Sequence, residues 1–175
     1  MLFRSQEQRL DGRARVDGVM LGVGGNVRKG WGVFANYSYL DSEVLQGASD
    51  FISALGQDYT QGDPLLNVPK NAFSLWTAYD LPHRVQLGYG VTYQDEVFVS
   101  QHNKTNVSGP LATAAGYTVH RVMVSYGFSR NLGVQFNINN LFDKEYLTRV
   151  RTSSEQAWAT PGEGRQFVLT ASYGF

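Results

Sequence analysis

Three histidines, two acidic clusters and one glycine run are the parts of this 175-residue chain whose types and spacing suggest chemistry. His83, His102 and His120 lie on separate segments without the close spacing of metal ligands, so loop, loop and sheet-surface roles fit them better than ligation. Asp41-Ser42-Glu43 and Asp95-Glu96 carry the carboxylates of an acid/base pair, but both fall at expected strand-to-loop junctions and read as solvated rim charges. Gly22-Val23-Gly24-Gly25 has the glycines of a phosphate loop without its Lys-Ser/Thr or its following helix, and reads as a crowded strand face. The chain has no cysteine, which removes disulfides, cysteine-based zinc sites and a thiol nucleophile. No nucleophile, base and orienting group fall together. The expectation is a protein that is not an enzyme and has no cofactor or metal.

The elements that position these residues follow from composition and period. The 15 basic and 15 acidic residues cancel, and charged residues make up 17% of the chain, below the usual quarter. With 42% hydrophobic residues the chain is not disordered. Zero net charge without a basic stripe removes the electrostatic case for nucleic acid. No run approaches the roughly 18 to 20 apolar residues of a membrane helix. Met1 to Gln6 lacks the charged head and apolar stretch of a secretory signal, which leaves either a cytoplasmic protein or a chain without its front.

Seven segments alternate with period two, the mark of strands with one apolar and one polar or small face. From Arg84 to Gln94, Val85, Leu87, Tyr89, Val91 and Tyr93 oppose Gln86, Gly88, Gly90 and Thr92. Leu132, Val134, Phe136 and Ile138 oppose Gly133, Gln135, Asn137 and Asn139. Phe167, Leu169, Ala171, Tyr173 and Phe175 oppose Gln166, Val168, Thr170, Ser172 and Gly174. Noisier segments run through Val19–Val27, Trp31–Leu40, Phe73–Asp80 and Tyr117–Phe128, with His120 an imperfect fit on an apolar face. Tight links at Arg28-Lys29-Gly30, Leu81-Pro82-His83 and Ser129-Arg130-Asn131 take turns with long polar stretches, Glu43–Val68, Glu96–Gly116 and Phe142–Gly164. Short links therefore share one end of the sheet and long ones the other, as in an up-and-down outer-membrane barrel.

Alternation alone does not say whether the apolar face points into a soluble core or out to lipid. Three features favour lipid. The cleanest apolar faces carry no charge, Tyr and Phe gather at strand ends (Tyr37, Tyr39, Tyr79, Tyr93, Tyr126, Tyr173, Phe175), and the opposite face is rich in Gln, Asn, Thr, Ser and Gly. On this reading Val85, Leu87, Tyr89, Val91, Leu132, Val134, Phe136, Ile138, Phe167, Leu169, Tyr173 and Phe175 face the membrane. Expected strand lengths of about 10 to 13 residues also suit a tilted bilayer crossing better than a soluble sandwich.

Asn139-Asn140-Leu141-Phe142-Asp143-Lys144-Glu145-Tyr146 resembles the Asn-Leu-Phe-Asp-Lys-x-Tyr signature near the end of TonB-dependent outer-membrane receptors, especially those for ferric siderophores. Gly162-Glu163-Gly164-Arg165-Gln166 is similar to that family's Gly-x-x-Arg turn before the terminal strand. Val68-Pro69-Lys70-Asn71-Ala72-Phe73 resembles its Val-Pro-Lys/Arg strand start, and Gly30-Trp31-Gly32-Val33-Phe34-Ala35-Asn36-Tyr37 an earlier hairpin. Tyr173-Gly174-Phe175 resembles the aromatic-ended strand that outer-membrane assembly machinery recognises.

The resemblance implies an all-β, antiparallel partial barrel of about seven strands, short periplasmic turns and long extracellular loops, in the outer membrane of a Gram-negative bacterium. Residues 1–175 would form one C-terminal segment of a 22-stranded receptor barrel, without its plug or TonB box and inactive in transport by itself. An odd strand count does not close a single-chain barrel; Phe3–Arg9, before an Asp-Gly turn, is the candidate eighth strand. Implied partners are outer-membrane lipid, the barrel-assembly machinery, a ferric siderophore as substrate, and TonB through the missing N-terminal region. Phe51, Tyr59, Phe98, His102 and Trp158 are the candidate substrate contacts in the long loops, with packing of the loops on themselves the competing role. Arg121 and Arg165 are candidates for lumen or plug contacts. An autonomous eight-stranded adhesin or structural barrel and a soluble lipocalin-like barrel are the alternative functions.

Overall fold

The computed structural model describes residues 12–47, 61–102, 109–152 and 157–174. Among these, seven strands form one antiparallel sheet in the order β1 (Arg13–Arg28), β2 (Trp31–Gln46), β3 (Asn71–Leu81), β4 (Val85–Gln94), β7 (Tyr117–Gly127), β8 (Leu132–Asn139) and β11 (Gln166–Tyr173). β5 (Val97–Phe98) with β6 (Thr113–Ala114), and β9 (Leu147–Thr152) with β10 (Ala157–Pro161), make two separate ribbons. β1 and β11 stand at opposite edges and do not pair, so the sheet is a partial, unclosed barrel wall. Each expected segment corresponds to one strand of this sheet. The candidate eighth strand, Phe3–Arg9, lies outside the described residues.

Three differences from the sequence reading have physical causes. β1 and β2 run 16 residues each, because Arg13–Asp17 and Asp41–Gln46 continue the ladder with charged side chains that an apolar period does not register. Arg15 pairs with Glu43 and Asp17 with Asp41, so Asp41-Ser42-Glu43 lies inside β2 and not at its end. Arg84 belongs to the turn: Pro82–Arg84 form a 3-10 turn in which His83 and Arg84 take φ of 63° and 61°. Finally, two of the long connections carry ribbons of their own. Val97, Val99 and Ala114 form a buried cluster with Val150 packed on it, but two-residue strands are too short to show a period.

The polar face has its own packing. Register puts Phe34, Trp76, Gly90 and Arg121 in one row across β2, β3, β4 and β7. The Arg121 guanidinium lies 5.3 Å from the Trp76 ring centroid. Both side chains use space that glycines leave open: a Cβ on Gly90 would stand 2.5 Å from Arg121 Nε and 2.8 Å from Trp76, and one on Gly88 2.7 Å from Trp76. The run of small residues in β4 is thus the complement of two large neighbours. Gly90→Val should force both side chains off the sheet and destabilise the wall by about 1–3 kcal/mol, read as a lowered urea midpoint of the full-length protein. Gly25→Ala, where no atom lies within 4 Å of the added carbon, should shift that midpoint little.

Candidate functional site: an apolar belt and a tied rim

Directly opposed residues in an antiparallel pair point to the same side, so register alone assembles one continuous face. Across β3, β4, β7, β8 and β11 one row reads Tyr79, Leu87, Val124, Phe136 and Leu169, and the next Thr77, Tyr89, Val122, Ile138 and Phe167. Toward the long connections follow Ala35, Leu75, Val91 and His120. Val85, Val134, Leu132 and Tyr173 complete the face at the short-turn end; Phe175 lies outside the described residues. These side chains do not meet in a dry centre: Leu87, Phe136 and Leu169 are 43%, 39% and 71% exposed.

The belt has two edges. On β1 and β2 the same face changes from Val19 and Tyr39 to the pairs Asp17–Asp41 and Arg15–Glu43. Arg15 bridges Asp17 at 2.8 Å and Glu43 at 3.1 Å, exposed contacts worth at most about 1 kcal/mol, which makes them markers of a wet boundary more than sources of stability. At the same height Tyr37 donates to Asn71 Oδ1 at 2.7 Å, Asn71 donates to Asp95 at 2.6 Å, and Tyr93 donates to the other Asp95 oxygen. Those hydrogen bonds, from Tyr93 first and Asn71 second, hold the Asp95 carboxyl below the usual carboxylate range. At the short-turn end Trp31 meets Tyr79 edge-on at 6.4 Å, Arg28 lies over both rings, and Tyr126 meets Phe128 at 4.7 Å. Phe73 to Tyr79 spans about 20 Å along β3 at roughly 3.4 Å per residue, comparable to the roughly 25 Å apolar band of membrane barrels.

His120 is the histidine among those rows. Its Nδ1 lies 2.6 Å from the Tyr89 hydroxyl and its ring 5.0 Å from Phe142. Tyr89 and Phe142 therefore cover it, which reconciles a histidine with an apolar row.

The long connections are tied together at the other end. The Asn140 side chain, 3% exposed at residue level, donates to the carbonyls of Lys144 and Glu163, each at 2.9 Å, and accepts from the Lys144 amide at 2.8 Å. Asn140 and Asp143 take φ of 50° and 54°, the left-handed region that Asn and Asp enter more readily than other non-glycine residues. Asp143 accepts from the Arg165 amide at 2.8 Å. The Leu141 amide donates to the His120 carbonyl at 2.8 Å, and the Tyr146 ring packs on Tyr117, tilted by 37°, at 4.4 Å. Gly162 lies against the Tyr146 ring so closely that a Cβ would overlap it. The Asn-Leu-Phe-Asp-Lys-x-Tyr signature is therefore a staple that joins the ends of the β8–β11 connection. Spacing alone does not assign this role; the left-handed turn chemistry of Asn and Asp is the signal for it in the sequence.

Of the candidate substrate contacts, Phe98 and His102 lie on the β4–β7 connection and Trp158 on the β8–β11 connection. Phe98 is in β5 opposite Thr113, and its carbonyl accepts from the Asn67 amide at 2.9 Å. Trp158 is in β10, 57% exposed and opposite Arg151. His102 is engaged with Asp63 at 2.6 Å. Phe51 and Tyr59 lie outside the described residues. Arg121 is on the polar face against Trp76, whereas Arg165 sits 3.8 Å from Asp143 with its guanidinium over Phe167. Among the described residues no group of three or more His, Asp or Glu is placed to hold a metal ion.

A seven-stranded open wall with belt, staple and ribboned rim has a counterpart among known proteins. The family model described as TonB dependent receptor-like, beta-barrel matches residues 3–141. The chain belongs to the TonB-dependent receptor β-barrel family. It is 34% identical over 166 residues to the siderophore receptor PiuA of Acinetobacter baumannii, covering 94% of this chain and 21% of that receptor. It is 31% identical over 165 residues to the catecholate siderophore receptor Fiu of Escherichia coli K12, covering 94% and 20%. The PiuA crystal structure superimposes with a TM-score of 0.77 over 93% of this chain and 22% of that one. The chain thus spans about a fifth of the length of the curated relatives it matches. The expected fold class and family are those found, and family members are receptors and transporters of the Gram-negative outer membrane.

Proposed function

We propose that this chain is a C-terminal wall segment of an outer-membrane, TonB-dependent receptor that imports ferric siderophores. The observation that carries the reading is the belt: a largely apolar face across the sheet, with exposed side chains on β1, β2, β4, β7, β8 and β11 and half-buried ones on β3, ended at both heights by tyrosines and charges. Such a face suits hydrocarbon, with tyrosine hydroxyls at the polar boundary. Outer-membrane lipid then covers the belt, and the long-connection end with its tied ribbons faces outward to meet the ferric chelate. Phe98, Trp158 and the polar neighbours on those ribbons are the contacts this segment offers. The Tyr173-Gly174-Phe175 end is the handle for the barrel-assembly machinery. Plug and TonB contact come from parts of the receptor outside this segment, which does not transport alone and is not an enzyme.

The test uses the full-length receptor in iron-starved cells that lack their own siderophore receptors. Uptake of iron-55 from a ferric catecholate should appear with the receptor, vanish when the proton gradient is collapsed, and fall to background when residues 13–174 are deleted. Uptake that survives collapse of the gradient, or no uptake from any ferric chelate, would overturn the reading.

A further inference from the structure

His102 at the rim is held from both sides of its ring, because both of its ring nitrogens face acceptors. Nδ1 lies 2.6 Å from Asp63 Oδ1, and Nε2 lies 3.1 Å from the Gly109 carbonyl oxygen. A neutral imidazole has one N–H and satisfies one of these; only the imidazolium donates to both. Turning the ring over would place carbons at both acceptors, so a flipped assignment does not relieve the demand. The His102 amide also donates to Asp63 Oδ2 at 2.7 Å.

Asp63 is anchored elsewhere. Its carbonyl accepts from the Val44 amide at 2.8 Å, and the Gly62 amide donates to the Val44 carbonyl at 2.9 Å, fixing this turn of the β2–β3 connection to the end of β2. The Asp63 side chain is 5% exposed, and among the described residues His102 is the group that becomes its cationic partner when protonated. A buried carboxylate without such a partner is strongly disfavoured. Next door, Gln101 donates to the Pro64 carbonyl at 3.0 Å, so two consecutive residues of the β4–β7 connection grip two consecutive residues of the β2–β3 connection.

We propose that His102 is a proton-operated latch that, as the imidazolium, fastens the β4–β7 connection to the β2–β3 connection at Asp63. Loss of the proton turns a ring-nitrogen lone pair toward either the Asp63 carboxylate or the Gly109 carbonyl oxygen, a repulsive contact in place of a hydrogen bond, and the two connections separate more readily. Among the described residues Asp63 is the ionisable group that meets the ring; its hydrogen bond, followed by that of Gly109, holds the ring above the ordinary histidine value of about 6.5. The sign follows from linkage: the latch is fully present below the ordinary value and fades as pH rises through the raised one. The latch concerns the rim and goes beyond transport, so it holds or fails independently of which chelate the receptor carries.

Amide hydrogen exchange of the full-length protein in detergent, corrected for the intrinsic pH dependence of exchange, tests it. Peptides covering 61–67 and 97–102 should lose protection together, by about threefold or more, as pH rises from 5.5 to 9, while peptides of β7 and β8 stay constant. His102→Gln, a partly exposed position, should give low protection of both segments at every pH. Asp63→Asn should uncouple the two segments in the same way. Protection of wild type that does not change with pH, or a pH dependence that persists in His102→Gln, would overturn the latch; because His102→Gln is read alone, a failure of Asp63→Asn to fold does not rescue it.

Discussion

Phe136→Arg in the full-length receptor should lower its stability in lipid by about 2–4 kcal/mol, the cost of an arginine at the bilayer midplane on the lipid face of a barrel. Phe136 sits mid-belt, opposite Val124 and Leu169, with Phe167 stacked on it at 6.2 Å. The guanidinium at this height has no nearby interface to reach, and the Phe167 contact is lost as well. The control is the adjacent residue. Gln135 points to the other face, opposite Ser125 and Thr170, and donates to Asn137 at 3.1 Å. Gln135→Arg should therefore cost less than about 1 kcal/mol, because a half-buried site already lined by polar side chains accepts charge more readily than the apolar face does. Urea midpoints of the two variants refolded into phospholipid vesicles check the prediction. Equal midpoints, or a larger loss for Gln135→Arg, would mean that lipid does not lie against the belt.

That neighbouring residues should differ so much is why most of this fold was legible. Period two assigned Val85–Tyr93, Leu132–Ile138 and Phe167–Tyr173 to one face without any knowledge of pairing, and register then kept those faces together because a one-residue slip would turn a whole strand inside out. Features carried by other physics stayed hidden. Arg13–Asp17 and Asp41–Gln46 extend the ladder through charge pairs. The β5–β6 and β9–β10 ribbons are set by the burial of Val97, Val99, Ala114 and Val150 across connections distant in sequence. The family resemblance makes His102, a polar side chain on a long outer loop, a substrate candidate, but its partner Asp63 is 39 residues away, and no local pattern joins them.

The signature motif is the sharpest case of a resemblance read before its mechanics, and Asn140 tests the mechanics. Asn140→Ala should destabilise the full-length receptor by about 3–5 kcal/mol. Three side-chain hydrogen bonds are removed, leaving the Lys144 amide and the Lys144 and Glu163 carbonyls without this partner, at about 1–3 kcal/mol for each group that stays dry. An alanine held at φ of 50° adds about 1–2 kcal/mol of left-handed strain. Asn140→Gly separates the two causes, since glycine accepts that φ; it should recover about 1 kcal/mol and no more. Asn140→Asp keeps the shape and the φ but turns an oxygen toward two carbonyl oxygens, so it should be nearly as damaging as alanine at neutral pH and partly relieved in acid, where the protonated carboxyl regains one donor. Heat-modifiable mobility and urea midpoints of the three variants read these differences. A glycine variant as stable as wild type would show that the turn's backbone, and not the amide's bridge from Lys144 to Glu163, holds the β8–β11 connection shut.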